Sequence, residues 1–281
     1  RYPIVYAHRM FGFDNIGAIN YWYGIPAALQ RDGAAVYVTQ VSAVNSSEER
    51  GEQLLAQVEE ILAITGAKKV NLIGHSHGGQ SIRYVAGMIP DKVASVTTVG
   101  SPAKGSSMAD IAVKLTDIPI LGNALTPVIS GVVNGLGKLI GLAAGENLPQ
   151  DFLQSLNSLT TKGTNDFNQQ FPAGVPATEC GEGSYYENGI YNFSWSGSSA
   201  GVTNFFDISS YAMALLTVAF KEPNDGLVGK CSSHFGQVLR DNYRMDHLDE
   251  VNQLLGLVGM QGSNPKAIYR QHANRLQNLG L

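Results

Sequence analysis

Val70-Asn71-Leu72-Ile73-Gly74-His75-Ser76-His77-Gly78-Gly79-Gln80-Ser81-Ile82-Arg83-Tyr84-Val85 is the stretch on which the fold turns. Val70–Ile73 reads as a short buried strand, and Gly79–Met88 reads as a helix that stops at Pro90. Between them stands Gly74-His75-Ser76-His77-Gly78, a G-x-S-x-G pattern. A strand that turns sharply into a helix over a serine exposes that hydroxyl on a strained bend, and glycines on either side keep side chains out of the turn. The pattern alone is weak, because a second copy occurs at Gly197-Ser198-Ser199-Ala200-Gly201. That copy runs into Val202-Thr203-Asn204-Phe205-Phe206-Asp207, where no helical stripe begins, so Ser76 is the candidate nucleophile.

Working outward, Tyr2–Ala7 reads as a strand that gives way to the turn-like His8-Arg9-Met10-Phe11-Gly12-Phe13-Asp14-Asn15. Ala35–Val41 is β-branched and follows Asp32-Gly33, which predicts a second strand. Leu54, Leu55, Val58, Ile61 and Leu62 give Glu48–Thr65 a helical spacing, with Ser46 or Ser47 as N-cap and Gly66 as stop. Val93–Val99 is strand-like again. Strands alternating with helices imply crossover units and a parallel sheet. From about Ser101 to Asn168 the alternation lapses into a Gly-rich, helix-prone insertion. Tyr185–Trp195 then resumes strand character, and Asn204–Phe220 mixes loop and helix.

The chain has 281 residues, 44% hydrophobic and 15% charged, which excludes a disordered segment or a coiled coil. Nineteen basic against 23 acidic side chains leave a net charge of −4, so no general basic surface is available for nucleic acid. Residues 118–137 carry no charge and approach membrane-spanning length, but Pro119, Asn123, Pro127 and Asn134 argue against a transmembrane segment. The opening Arg1-Tyr2-Pro3-Ile4 lacks a signal-like region, so either a signal was removed or none existed. Cys180 and Cys231 are compatible with two buried thiols or with one disulfide, which would close a loop of about 50 residues worth about 4 kcal/mol.

A serine nucleophile needs a base, and the base needs an orienting carboxylate, in the chain order Ser, acid, His. The late histidines are His234, His247 and His272. Asp225 lies in the turn Pro223-Asn224-Asp225-Gly226, and His247 lies in a polar loop entering a helix, so this pair is favoured. Asp246 and Asp249 are too near His247 in sequence to be the obvious partner, and His272 reads as the polar face of a C-terminal helix. His75 and His77 have no carboxylate or thiol in their own turn, so local hydrogen bonding is expected of them before metal binding. Leu125, Val128, Ile129, Val132, Val133, Leu136, Leu139 and Ile140 form a wide apolar helical face, opposed by Thr126, Ser130, Asn134 and Lys138. Such a face is either core or a surface that meets lipid.

The segments His8–Asn15, Gly74–Gly79, Asn224–Gly229 with Cys231–His234, and Asp241–Gln253 together resemble the secreted bacterial true lipases of the Pseudomonas type, lipase family I. The likeness runs through nearly the whole chain and is weakest between about Met108 and Asn165. It implies one α/β-hydrolase domain over residues 1–281, with a mostly parallel central sheet, helices on both faces and a helical lid inserted at about 108–165. It implies a triacylglycerol lipase that cleaves glycerol esters at a lipid–water interface, secreted through the periplasm with a lipase-specific foldase, and monomeric. Carried over by position, Ser76 is the nucleophile, His247 the base, Asp225 the orienting acid, and Met10 and His77 supply the oxyanion-hole amides. The resemblance also implies a structural Ca²⁺ held by Asp207, Asp249, Gln253 and the Leu257 carbonyl, and a Cys180–Cys231 disulfide. By spacing alone Asp249, Gln253 and Leu257 equally suit an ordinary helix face.

One departure stands out. The family reads His-Gly before its oxyanion residue, whereas this chain reads His8-Arg9-Met10. Arg9 therefore implies either lowered activity or altered selectivity, since a side chain there crowds the loop that presents the Met10 amide. The alternatives are an esterase or thioesterase for soluble acyl substrates, and a lipid-binding variant impaired by Arg9.

Overall fold

The computed structural model describes residues 1–8, 21–42, 45–116, 132, 135–136 and 150–281, with backbone only at 116 and 150–153. Met10, Arg9 and most of the 125–142 apolar stripe lie outside the described residues.

The sequence alternation becomes a sheet. Strands β1 (Ile4–Ala7), β2 (Val36–Val38), β3 (Val70–His75), β4 (Val93–Val99), β5 (Tyr186–Glu187), β6 (Ile190–Gly197) and β7 (Gln237–Tyr243) join in the order β2-β1-β3-β4-β6, and both β5 and β7 pair with β6. Every pairing is parallel except the β5–β6 hairpin. The crossover helices are α1 (Ile25–Arg31), α2 (Ser47–Thr65) and α3 (Gly78–Met88). They are followed by α4 (Ser107–Thr116), α5 (Gln150–Leu159), α6 (Thr161–Gln170), α7 (Ile208–Leu216) and α8 (Pro265–Asn278).

Local chemistry sets the boundaries. Ser46 caps α2, its side chain accepting from Glu49 N, and Gly66 ends the helix in the left-handed region at φ 66°. The second strand is shorter than the Ala35–Val41 reading. Its last amides turn to side chains instead of a neighbouring strand: Gln40 N donates to Gln57 Oε1 of α2 and Val41 N to His8 Nε2.

Both faces of the sheet are covered, so successive residues of a strand feed different cores. Val5 and Ala7 join Leu54, Val58, Leu72, Ile82 and Val85 beneath α2 and α3. Ile4 and Tyr6 join Trp22, Leu29, Ile73, Trp195 and Tyr269 beneath α1 and α8. A third cluster, around Met108, Leu156, Met213 and Leu248, packs α4, α5 and α7 together, and Leu136 leans on it. Val132 is buried, and a Cβ on Gly135 would stand 2.6 Å from Leu216 Cγ, so the described part of the apolar stripe is covered by protein.

One reading is overturned. His272 is not on a polar face. It is buried, lies edge-on to Phe193 and Trp195, and shares a hydrogen bond with Thr97 Oγ1 at 2.8 Å. Burial, with Arg275 beside it, lowers its pKa to about 3, so it packs as a neutral ring. The helix turns this histidine toward the sheet because Ile268, Tyr269 and Leu276 recur on the same side.

Leu72 is fully buried in the central strand, whereas Ile64 is 71% exposed on α2. Leu72→Ala is expected to lower the unfolding free energy by about 2–5 kcal/mol, and Ile64→Ala to stay within about 0.5 kcal/mol, in urea titrations followed by fluorescence.

Candidate active site

The connections from β1 to α1 and from β3 to α3 leave the sheet in opposite directions, which opens a crevice at the C-terminal ends of two neighbouring strands. Ala7 pairs with Gly74 there, so the turn after β3 lies beside the C-terminal end of β1. Ser76 occupies that turn with φ 54°, a strained value for a side chain other than glycine. The flanking glycines are required sterically: a Cβ on Gly74 would lie 2.3 Å from Gly78 O, and one on Gly78 would lie 2.3 Å from Ala7 O. The second G-x-S-x-G copy only finishes β6 and continues as loop, with Ser199 N donating to Met245 O.

His247 and Asp225 meet. His247 Nδ1 donates to Asp225 Oδ2 at 2.7 Å, and His247 N donates to Asp225 O at 2.8 Å. The other carboxylate oxygen of Asp225 accepts from Leu227 N and Val228 N at 2.9 and 2.7 Å. The acid is thus locked before it touches the imidazole, and the imidazole is held in the tautomer that leaves Nε2 bare. His247 Nε2 is buried without a hydrogen-bond partner among the described residues, so it is not bonded to Ser76 Oγ. The ring of His75, the residue before Ser76 in the chain, lies 4.5 Å from that of His247. His234 is elsewhere, paired with Asp241 at 2.9 Å.

His77 N–H begins α3 and meets no acceptor among the described residues. Its side chain bonds Ser47 Oγ at 2.8 Å, and burial, together with Arg50 and His8, depresses its pKa well below the ordinary imidazole value. His75 and His77 therefore form hydrogen bonds across the fold and not within their own turn. Tyr21 O–H donates to His75 Nδ1, and His75 Nε2 donates to Glu250 Oε2 at 3.0 Å.

Nothing in the sequence singles out Glu250, yet its carboxylate is the nearest second acid to the imidazole. Glu250 Oε2 lies 3.7 Å from His247 Nδ1, and Oε1 accepts from Gly197 N at 2.7 Å. Gly100, with φ 48°, makes room for it, since a Cβ there would stand 1.9 Å from Glu250 Oε2. Burial, reinforced by the Asp225 charge, raises the Glu250 pKa well above the ordinary carboxylate value. The residue is assembled from the ends of β3, β4 and β6, and no local motif records that convergence.

A second polar cluster adjoins the first. The carboxylates of Asp207, Asp246 and Asp249 are buried, with one oxygen of each lying within 4.8 Å of the others. Asp246 was not among the ligands suggested by the sequence. Its Oδ1 accepts from Leu248 N and Asp249 N at 2.9 Å each, so it also shapes the turn that follows His247. Asp207 caps α7 through Ser209 N, and Asp249 Oδ1 is buried with no hydrogen-bond partner among the described residues. Burial raises all three acids, Asp249 to about 7, with the neighbouring like charges adding to the rise in Asp246 and Asp249. Gln253 joins the loop through Nε2 to Tyr21 O and Oε1 to Leu255 N. Cys180 and Cys231 form a disulfide, tying the loop after α6 to the segment that follows Asp225.

These features match known proteins. The family described as alpha/beta hydrolase fold matches residues 2–200. A triacylglycerol lipase of Vibrio cholerae is 57% identical over this whole chain and 89% of its own length. A triacylglycerol lipase of Pseudomonas fragi is 40% identical over all of this chain and 98% of its own. The crystal structure of Staphylococcus hyicus lipase shares the fold with a TM-score of 0.60 at 17% identity, covering 99% of this chain and 95% of that one. Full-length identity at this level, on an elbow serine set at the crevice of a parallel sheet, means that the chain belongs to the triacylglycerol lipase family of alpha/beta hydrolases.

Proposed function

We propose that this chain is a secreted triacylglycerol lipase working through Ser76, His247 and Asp225. The observation that carries the reading is the 2.7 Å bond from His247 Nδ1 to a buried, doubly anchored Asp225, beside a serine held at φ 54°. Ser76 Oγ attacks the ester carbonyl while His247 Nε2 takes its proton. Asp225 keeps the ring oriented and stabilises the imidazolium that forms. The His77 amide, which has no acceptor among the described residues and is set at a helix start, receives the developing oxyanion, with Met10 as the second donor. His247 then returns the proton to the departing glycerol oxygen, and water repeats the sequence on the acyl-enzyme.

The acidic cluster suits a hard cation, because three buried carboxylates repel one another and one Asp249 oxygen is left without a partner. Asp207, Asp249, the Gln253 amide oxygen and the Leu257 carbonyl, with Asp246 beside them, would hold Ca²⁺. When bound, the ion supplies charge neutralisation and tethers the loop that carries His247. Export through the periplasm, a dedicated foldase and a monomeric state complete the proposal. No helix among the described residues is long and apolar enough to cross a membrane. The fold is read as one domain with a lid insertion at about 108–165.

Labelling with an alkyl phosphonate followed by peptide mass spectrometry tests the assignment: modification at Ser76 is expected, and loss of hydrolysis without such labelling would count against it. Hydrolysis of emulsified triolein and of a soluble short ester separates a lipase from an esterase.

His247→Ala is expected to lower kcat on a soluble ester by about 10⁴-fold or more. Asp225→Ala is expected to lose markedly less, because Glu250 lies 3.7 Å from the same Nδ1; the double variant Asp225→Ala/Glu250→Ala should fall to the His247→Ala level.

The pH dependence has a defined sign. An acid whose folded pKa is raised keeps a proton that the unfolded chain releases, so stability falls as pH climbs from about 4 to about 7, the folded value of Asp249. Thermal melts in chelator are expected to show the midpoint dropping across that window, and added Ca²⁺ to restore it most strongly at its upper end.

A further inference from the structure

Six large apolar side chains stand in water on two loops, and on the first residue of the helix α7 that follows one of them, at the catalytic end of the sheet. Phe205 and Phe206 are 76% and 82% exposed, Met260 is 76% exposed, and Ile208, Leu255 and Leu257 are exposed as well. The loops are joined: Asn204 Nδ2 donates to Val258 O at 3.2 Å, and Thr203 Oγ1 stands 2.8 Å from where a Cβ on Gly259 would sit. Their place follows from topology. β3, β4 and β6 run parallel, so Ser76 after β3 and the loop after β6 emerge from the same edge of the sheet, and the second loop begins just past His247. Phe205 and Phe206 immediately precede Asp207, and Leu255 to Met260 follow Asp249, so both loops are rooted in the buried acidic cluster.

An apolar surface of this kind on a water-exposed chain marks a place of contact. Its chemistry narrows the partner. Residues 197–206 and 251–263 contain no Lys, Arg, Asp or Glu, and the chain as a whole carries −4. Segments that settle on anionic membranes combine apolar residues with lysine and arginine. This one has none to offer.

We propose that these two loops form a docking surface for uncharged acylglycerol, which seats the protein on an oil surface with its crevice toward the lipid. The assignment rests on the lipase reading above, and it adds a fixed attachment site outside the 108–165 insertion. The rings at 205 and 206 and the thioether at 260 enter the oil, while the hydrogen-bonded loop backbones stay at its boundary.

The test separates binding from hydrolysis. In a Ser76→Ala background, the full chain with Ca²⁺ is floated with phosphatidylcholine-coated triolein droplets, with and without Phe205→Ser/Met260→Ser. The two substitutions are expected to weaken partition into the droplet fraction at least about tenfold, given the apolar area they withdraw from burial. With Ser76 intact, the same pair is expected to leave turnover of a soluble short ester unchanged and to depress turnover of emulsified triolein. Unchanged partition would overturn the proposal, as would equal loss on both substrates. So would tighter binding to phosphatidylserine vesicles than to oil, or a dimer in solution that the substitutions dissociate. An unsubstituted chain that binds oil but cleaves neither ester would instead remove the lipase reading and leave the docking surface standing.

Discussion

The backbone at Ala7, Gly74 and Gly78 approaches so closely that neither glycine could carry a side chain, since a Cβ on either would stand 2.3 Å from a carbonyl oxygen. That approach presses the turn after β3 against the end of β1 and the start of α3, and it holds Ser76 at a positive φ that a serine in an open loop would abandon. Two neighbouring parallel strands with connections leaving in opposite directions supply the space, and two glycines allow the backbone to use it. The hydroxyl, the His77 amide that meets no acceptor among the described residues, and the crevice are consequences of one packing arrangement.

The rest of the site hangs from the other side of the sheet, through hydrogen bonds between residues far apart in the chain. Asp225 is fixed by its own turn, and the 241–253 segment must then carry His247 to it. Asp246 folds that segment by accepting two of its amides, while Glu250 anchors it to His75 and Gly197. The result is a dense buried set of acids in which both Glu250 and Asp249 are pushed toward protonation. Burying so many carboxylates is costly unless each finds a donor or a cation. Among the described residues, the one buried carboxylate oxygen without a partner, on Asp249, lies two residues beyond His247, so the burial of the acids and the placement of the imidazole depend on the same loop.

Local sequence rules read well wherever the determinant was local. Ser46 and Gly66 bound a helix by capping, Val93–Val99 is recognisable as a buried strand, and the two G-x-S-x-G copies were separable because only one is followed by a helical stripe. His272 was misread for a physical reason: the C-terminal helix is polar enough in composition to suggest exposure, but the face bearing Ile268, Tyr269 and Leu276 turns His272 inward onto Thr97 and two aromatic rings. Ala35–Val41 was read too long because its β-branched run could not reveal that the side chains of Gln57 and His8 would take the last amides.

By itself the amino-acid order determined the alternation of strand and helix, the elbow at Ser76 and the candidacy of Asp225 and His247, because propensity, capping and steric exclusion act over a few residues. Likeness to a known family, not spacing, pointed to the Cys180–Cys231 pairing and to most of the acidic cluster. Only the tertiary structure decided that Glu250 stands beside the imidazole, that Asp246 joins Asp207 and Asp249, and that Phe205 and Met260 share one exposed surface. These relations depend on where strand ends converge in space, and that is set by sheet order and register, which no short window of sequence contains.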